Sequence, residues 1–175
     1  MENKFEKILN DLKENYLNNY KILSNKNELI CHTPQIAPQA WLHEIYYKLN
    51  KQEILELENK IEKEIPEEYK LFLLTCNGIN ISSDCLSIFG IRKSYKRIGD
   101  EAHQPYDLYE INNENRNNIN KNNLIIGSCD DNNNFIIYNL KENNICIYNR
   151  ENYNIIEKYN SLIELLEEKI EILSK

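Results

Sequence analysis

The hydrophobic spacing of this chain changes at the dipeptide Asn77-Gly78. Before it, apolar residues recur at helical spacing, as they do from Tyr69 to Phe72 and Leu73. After it come short runs of β-branched and aromatic residues, separated by Asp/Asn turns. Such runs are typical of strands that follow one another in an antiparallel meander. The order of helices, sheet and a last helix predicts an α+β fold.

Capping signals locate the helices before and after the strands. Asn50 and Glu53 have the spacing of a capping box, and so do Ser161 and Glu164. Pro66 suits the first position of a helix, which Gly78 is expected to end in a left-handed conformation. Helices are therefore expected over residues 1–23, from Ala40 (carrying Trp41, Ile45 and Leu49), from Asn50, from Pro66 and from Ser161 (with Leu162, Leu166, Ile170 and Leu173 inward).

The second half of the chain is expected to hold strands at 85–90, 124–128, 135–138 and 145–148. The segment Asp130–Asn134 has the composition of part of a calcium loop, but it lacks the glutamate that completes an EF-hand, so a β-turn is predicted. The stretch 91–123 is long for a connection, and long ordered loops are often functional.

Charge narrows the choice of partner. The 175 residues, enough for one domain, include 28 acidic and 21 basic side chains, which gives a formal net charge of −7. Binding to a phosphate backbone depends on clustered Lys and Arg, so a nucleic-acid partner is disfavoured. An acidic chain is better suited to a basic protein partner.

Five widely spaced cysteines without a CxxC pair predict free thiols in a reducing compartment. Of these, Cys76 and Cys146 are expected to be buried. The N-terminus has charges where a signal peptide needs an apolar run, and no stretch is long and apolar enough to span a membrane. A cytoplasmic protein without a membrane partner is therefore expected.

Motifs for catalysis and for cofactors are missing from the sequence. His32, His43 and His103 are far apart, and the four glycines are scattered rather than grouped into a phosphate-binding loop. We therefore assign no catalytic residue, no metal site and no cofactor. A small hydrolase that depends on His43 or His103 is the third of the functional hypotheses.

The region from 91 to 116 has the most distinctive polarity. A basic run, Ile91–Arg97, precedes a stretch at 99–115 with five acidic residues and no Lys or Arg. Tyrosines beside carboxylates are typical of protein-recognition surfaces, although packing of these tyrosines onto the sheet is an open alternative. The predicted partner-binding residues are Tyr95, Asp100, Glu101, Tyr106, Asp107, Tyr109 and Glu110.

One block of the chain resembles a known family. The pattern E…(I/L)P-x-x-(Y/F)-x-x-(F/Y)-L-x-x-x-N-G is present from Glu58 to Gly78, after Trp41-x-x-x-Ile45 and before a Leu-x-x-Phe-Gly-Ile-Arg run that ends at Arg92. This pattern is similar to that of the SUKH superfamily, the Smi/Knr-type group, over about residues 41–173. The motif residues, for which structural roles are expected, are Trp41, Glu58, Pro66, Tyr69, Phe72, Leu73, Asn77 and Gly78.

The resemblance implies a curved, mainly antiparallel sheet flanked by N-terminal helices and one C-terminal helix. We expect a single domain over 38–175 with a helical extension at 1–30. Asn77 is expected to bond local backbone where its helix ends. The family has no catalytic residues to carry over.

Bacterial members of the superfamily are mostly immunity proteins against polymorphic or contact-dependent toxins, often nucleases or deaminases. The leading hypothesis is therefore a cytoplasmic immunity protein that neutralises a cognate toxin by stoichiometric occlusion. The alternative is a regulatory or scaffold module that binds a protein other than a toxin. The sequence predicts neither the toxin nor the oligomeric state.

Overall fold

The computed structural model describes residues 3–130 and 134–174. Within these ranges the helices are α1 (Lys4–Glu14), α2 (Lys51–Ile61), α3 (Glu67–Thr75), α4 (Leu108–Glu114) and α5 (Leu162–Leu173). The strands are β1 (Tyr20–Ile22), β2 (Glu28–His32), β3 (Trp41–Tyr47), β4 (Cys76–Ile81), β5 (Leu86–Ile88), β6 (Asn123–Cys129), β7 (Asn134–Asn139), β8 (Asn144–Tyr148) and β9 (Ile155–Tyr159). The predicted α+β class is confirmed.

The described strands form one open sheet in which spatial order follows chain order from β1 to β9, and every neighbouring pair is antiparallel. Two connections leave the sheet. One holds α2 and α3 between β3 and β4, and the other holds a short 3-10 turn (Gly99–Ala102) and α4 between β5 and β6. The antiparallel meander predicted for the second half is confirmed. The turn predicted at 130–134 lies largely outside the described residues.

The segment that begins at Trp41 is a strand, so the helix predicted there is wrong. Trp41, Ile45 and Leu49 are separated by four residues, a spacing that fits a helix and also keeps residues on one face of a strand. The aromatic and β-branched residues of β3 favour the strand. The Trp41 ring is half-buried, and its centre lies 4.9 Å from the centre of the His32 ring.

The N-terminal helix is shorter than predicted. It ends at Glu14, β1 lies within the range 1–23 where the helix was expected, and β2 follows. Since β2 pairs with β3, both sides of the predicted division between an extension at 1–30 and a domain at 38–175 belong to one sheet. The position of that division stays a prediction.

Gly78 does not cap α3, contrary to the prediction. The helix ends at Thr75, and β4 begins at the next residue, so Gly78 lies inside a strand with φ of +101°. A Cβ atom at this position would lie 2.6 Å from the carbonyl oxygen of Ile88. Glycine is required here because β5 approaches closely and because the backbone has positive φ.

One hydrophobic core joins the helices to the sheet. Phe72 of α3 lies edge-on against Phe5 of α1, with ring centres 5.4 Å apart, and stacks on Tyr69 at 5.9 Å. Glu58 holds the connection between α2 and α3, since its carboxylate accepts the Ile65 N–H at 2.8 Å. The fully or almost fully buried motif side chains are Tyr69, Phe72, Leu73 and Asn77, while Glu58 and Pro66 are half-buried.

The cysteines behave as small apolar residues. All five are unpaired, and Cys76, Cys129 and Cys146 are buried. Burial raises the pKa of the Cys76 thiol well above its usual range, which keeps this group neutral. The predicted burial of Cys76 and Cys146 is confirmed.

Glu68 connects two distant helices. Its carboxylate oxygens accept the backbone N–H groups of Leu162 at 3.0 Å and Ile163 at 3.4 Å, which belong to the first turn of α5. A negative charge at this end also interacts favourably with the helix dipole. The predicted capping box is present in part: Ser161 accepts the Glu164 N–H, whereas the Glu164 carboxylate accepts from the N–H of Asn160.

We expect Glu68→Gln to lower the free energy of unfolding by about 1–3 kcal/mol, because two helix N–H groups lose a charged acceptor. Glu67→Gln is the matched control, since the Glu67 side chain is 87% exposed and makes only a surface ion pair with Lys70. That change should cost less than about 0.5 kcal/mol. Urea denaturation of both variants checks this, and equal midpoints would contradict it.

Candidate partner-binding surface

The segment after β5 leaves the sheet and returns to it, and backbone hydrogen bonds close its base. Gly90 N–H donates to the Tyr106 carbonyl at 3.1 Å, and Leu108 N–H donates to the Gly90 carbonyl at 2.8 Å. We call residues 91–107 the recognition loop. Because its two ends are held side by side, its conformation is tied to the end of the sheet.

Asn77 fixes the start of the recognition loop. Its side-chain N–H donates to the Ile91 carbonyl at 2.7 Å, and its side-chain oxygen accepts the Ile91 N–H at 2.7 Å. A Cβ atom on Gly90 would lie 2.1 Å from the Asn77 carbonyl oxygen, so only glycine allows this approach. The prediction that Asn77 bonds local backbone is therefore wrong, since its partner lies fourteen residues away.

The middle of the loop rests on the β1–β2 hairpin. The Asp100 carboxylate accepts the Ser24 N–H at 2.7 Å, and the Asn25 side chain donates to the Asp100 carbonyl at 2.8 Å. The hydrogen bonding from Ser24 lowers the pKa of the Asp100 carboxyl group. Asp100 therefore supports the loop, in addition to its predicted place on the partner surface.

A histidine–carboxylate pair adds a further contact with the sheet. His103 Nδ1 lies 3.0 Å from the Glu44 carboxylate, and Asn27 donates to the His103 carbonyl at 2.8 Å. The hydrogen bond with Glu44 raises the pKa of His103. The same carboxylate accepts the Tyr46 hydroxyl at 2.9 Å. This pair links the recognition loop to β3.

Four of the seven predicted partner-binding residues line one groove, of about 470 Å³, between the recognition loop and α4. Tyr95 is 65% exposed and Tyr106 is 42% exposed. The lining of the groove is acidic, with three carboxylates against one guanidinium. We call it the acidic groove; its residues are Arg92, Tyr95, Tyr106, Asp107, Glu110, Ile111 and Glu114.

The groove side chains are partly held by one another. The Arg92 guanidinium lies 5.1 Å from the centre of the Tyr95 ring. The centre of the Tyr106 ring lies 5.7 Å from the centre of the Phe89 ring. Asp107 caps α4, accepting the N–H groups of Tyr109 and Glu110 at 2.9 and 3.1 Å. Because Asp107 starts the helix, it determines where Glu110 stands.

The other predicted residues lie elsewhere. Glu101 is close to Ser94 and Lys96, with a carboxylate-to-ammonium distance of 3.2 Å to Lys96. Tyr109 points to the far side of α4, where the Lys60 ammonium lies 3.9 Å above its ring. For Tyr109, packing between helices is thus the observed role. The linear stretch 99–115 is divided among three places.

Sequence reasoning missed Glu114 and Arg92 as members of the groove. A signal for Glu114 was present, since Asp107 and Glu110 have capping-box spacing and predict a helix that begins between them. In that helix Asp107, Glu110 and Glu114 occupy one face. Arg92 could not be placed, because it reaches the groove only through the folding of the loop.

The two histidines of the hydrolase hypothesis occupy different environments. His43 is buried, and its Nδ1 accepts the Ser82 N–H at 3.1 Å. Burial lowers the pKa of His43 to about 4, so its ring is neutral near pH 7. Among residues 3–130 and 134–174, no group of three His, Cys, Asp or Glu side chains is placed to hold a metal ion.

The fold is an antiparallel meander with helical connections before β4 and after β5, and a groove beside α4 combines exposed tyrosines with carboxylates. Residues 48–168 match the model of the SMI1 / KNR4 family (SUKH-1), which is more than half of the chain. The chain belongs to this family, and the resemblance seen in the sequence is confirmed. The match begins after β3, so α1 and β1–β3 precede it.

No curated protein matched the chain in the comparison. Within the described part of the chain, none of the helices has the length and apolar character needed to cross a membrane.

We expect Asn77→Asp to loosen the recognition loop, because a carboxylate oxygen would face the Ile91 carbonyl in place of a donor. The expected loss is about 1–3 kcal/mol in the free energy of unfolding. Hydrogen exchange should accelerate in residues 91–107 more than in β6–β8. Asn113→Asp, at an exposed position, is the control. Unchanged hydrogen exchange in residues 91–107 would contradict the role of Asn77 in holding the recognition loop.

The contact between His103 and Glu44 should depend on pH. Because Glu44 raises the pKa of His103, protonation stabilises the folded state. This contribution is fully present below the unfolded value of about 6.5, and it is lost as pH rises through the higher folded value. We expect His103→Gln to cost more stability at about pH 5.5 than at about pH 9. Equal costs in urea denaturation at the two pH values would argue against it.

Proposed function

We propose that the chain is an immunity protein that binds a cognate bacterial toxin domain, of the polymorphic or contact-dependent kind, and occludes it in a stoichiometric complex. Membership of the SMI1 / KNR4 family (SUKH-1) supports this function. The acidic groove carries the proposal, because it joins exposed tyrosine rings to carboxylates of the recognition loop and of α4. The chain then acts in the cytoplasm by binding rather than by catalysis.

The chemistry of the groove favours a basic partner. Tyrosine offers a large rigid surface at little cost in conformational entropy, and a Lys or Arg of the partner gains from the ring face and from the carboxylates together. Many nuclease toxins, which act on phosphate backbones, are basic. The formal net charge of −7 would accelerate their capture by attraction at long range.

Within this surface the residues have different roles. Tyr95, Tyr106, Glu110 and Glu114 are the proposed contacts, since they line the groove with exposed or half-exposed side chains. Asp107 and Asp100 are proposed to act through support of the loop and α4, where they accept backbone N–H groups. Glu101 stays a proposed contact on a separate part of the loop, and Tyr109 supports α4.

The charge of the groove gives a direct kinetic prediction. We expect the double variant Glu110→Lys and Glu114→Lys to slow association with the toxin domain by about tenfold or more at low salt. The salt dependence of association should also flatten. The control is Glu151→Lys with Glu167→Lys, two exposed glutamates outside the groove, which changes the net charge equally. Stopped-flow association rates measure both, and equal slowing would refute the groove as the contact surface.

The function itself is tested by co-expression with the product of the gene immediately upstream. If that product carries a toxic domain, the wild-type chain should rescue growth and co-purify at a one-to-one ratio. Rescue without a stable complex would contradict stoichiometric occlusion. A stable complex with a non-toxic host protein, together with no rescue, would favour the regulatory or scaffold alternative.

A further inference from the structure

A second cleft lies on the opposite side of α4 and has the opposite charge. It has a volume of about 360 Å³ and is bordered by the end of α2, by α4 and by the start of β6. Four cationic side chains and one carboxylate, Glu62, line it. We call it the basic cleft, defined by Lys60, Lys63, Arg116 and Lys121. A local excess of three positive charges is notable in a chain whose net charge is −7.

The fold brings these cations together from distant parts of the sequence. Glu62 follows the last residue of α2 and has a left-handed backbone conformation, with φ of 55°. The chain therefore turns between Lys60 and Lys63. Across the cleft, Tyr109, Asn112 and Asn113 follow helical spacing along the face of α4 that is turned away from the acidic groove, and Arg116 follows the end of that helix. The helix therefore separates carboxylates from cations.

The cations of the cleft lack acidic partners. None of the four forms an ion pair within 4.0 Å among the described residues, whereas Lys13, Lys70 and Lys93 do. The Lys63 ammonium donates to the Asn123 carbonyl at 2.7 Å, which directs it without neutralising it. A lysine ammonium has three donors, so others remain for a ligand. Lys60 lies over the Tyr109 ring.

We propose that the basic cleft binds a phosphate group, either as inorganic phosphate or as part of a small phosphomonoester. At neutral pH a phosphomonoester carries about −1.5 to −2 charges and three acceptor oxygens, which suits several cations converging from different elements. A carboxylate would neutralise only one charge. Arginine and lysine are the side chains that commonly bind phosphate.

The overall negative charge does not oppose this binding strongly. At physiological ionic strength charges are screened over a distance of about 8 Å, so the nearest cations dominate the potential inside the cleft. The cleft faces away from the acidic groove across α4, and the proposed site is therefore independent of the proposed toxin-binding function.

The test is calorimetric titration of the full chain with sodium phosphate and, separately, with adenosine monophosphate, at constant ionic strength set by sodium chloride. We expect saturable one-to-one binding to the wild type. The double variant Lys63→Gln with Arg116→Gln should bind at least about tenfold more weakly, because two charged hydrogen bonds are lost. The control Lys51→Gln with Lys141→Gln, at exposed positions outside the cleft, should bind like the wild type.

The two titrants distinguish the sources of the phosphate group. Tighter binding of the nucleotide would identify a phosphomonoester, and equal binding would identify phosphate itself. Because Lys63 also bonds with Asn123, Lys60→Gln with Lys121→Gln is a second variant that leaves this bond intact. Absence of saturable binding to the wild type, or equal binding by the cleft variants and the control, would overturn the proposal. Neither result bears on toxin neutralisation.

Discussion

The pair of hydrogen bonds between the Asn77 side chain and the Ile91 backbone is the constraint on which the functional surface depends. These bonds, with Gly90 packed against the Asn77 backbone, determine where the chain leaves β5. The return of the chain at Leu108 is fixed by the Gly90 carbonyl. As a result α4 begins at one defined place, and both the acidic groove and the basic cleft take their positions from it.

Most of the helical part and the later strands could be predicted, because capping residues and hydrophobic spacing are local signals. The strand at Trp41 could not be recognised, since a spacing of four residues fits a helix and a strand equally. The helix α4 was missed because it has few apolar residues and lies in a long polar stretch. Its only clear signal is the spacing of Asp107 and Glu110.

Long-range partners explain most of what the sequence could not show. Glu68 lies in the first turn of α3, yet its carboxylate accepts hydrogen bonds from a helix that begins 94 residues later. Asn77 likewise binds a loop beyond the next strand. The acidic and aromatic character of 99–115 was visible in the sequence, whereas its division between the groove, the hairpin contact and the α2 side depends on folding.

The separation of charge across α4 changes how the net charge should be understood. The helix α4 carries Glu110 and Glu114 on the side of the acidic groove and has no Lys or Arg, whereas the cations of the basic cleft come from the end of α2 and from residues that follow α4. The acidic groove and the basic cleft are both consequences of this arrangement. Because screening limits each potential to its own side, two surfaces suited to oppositely charged ligands can lie on the two sides of one short helix.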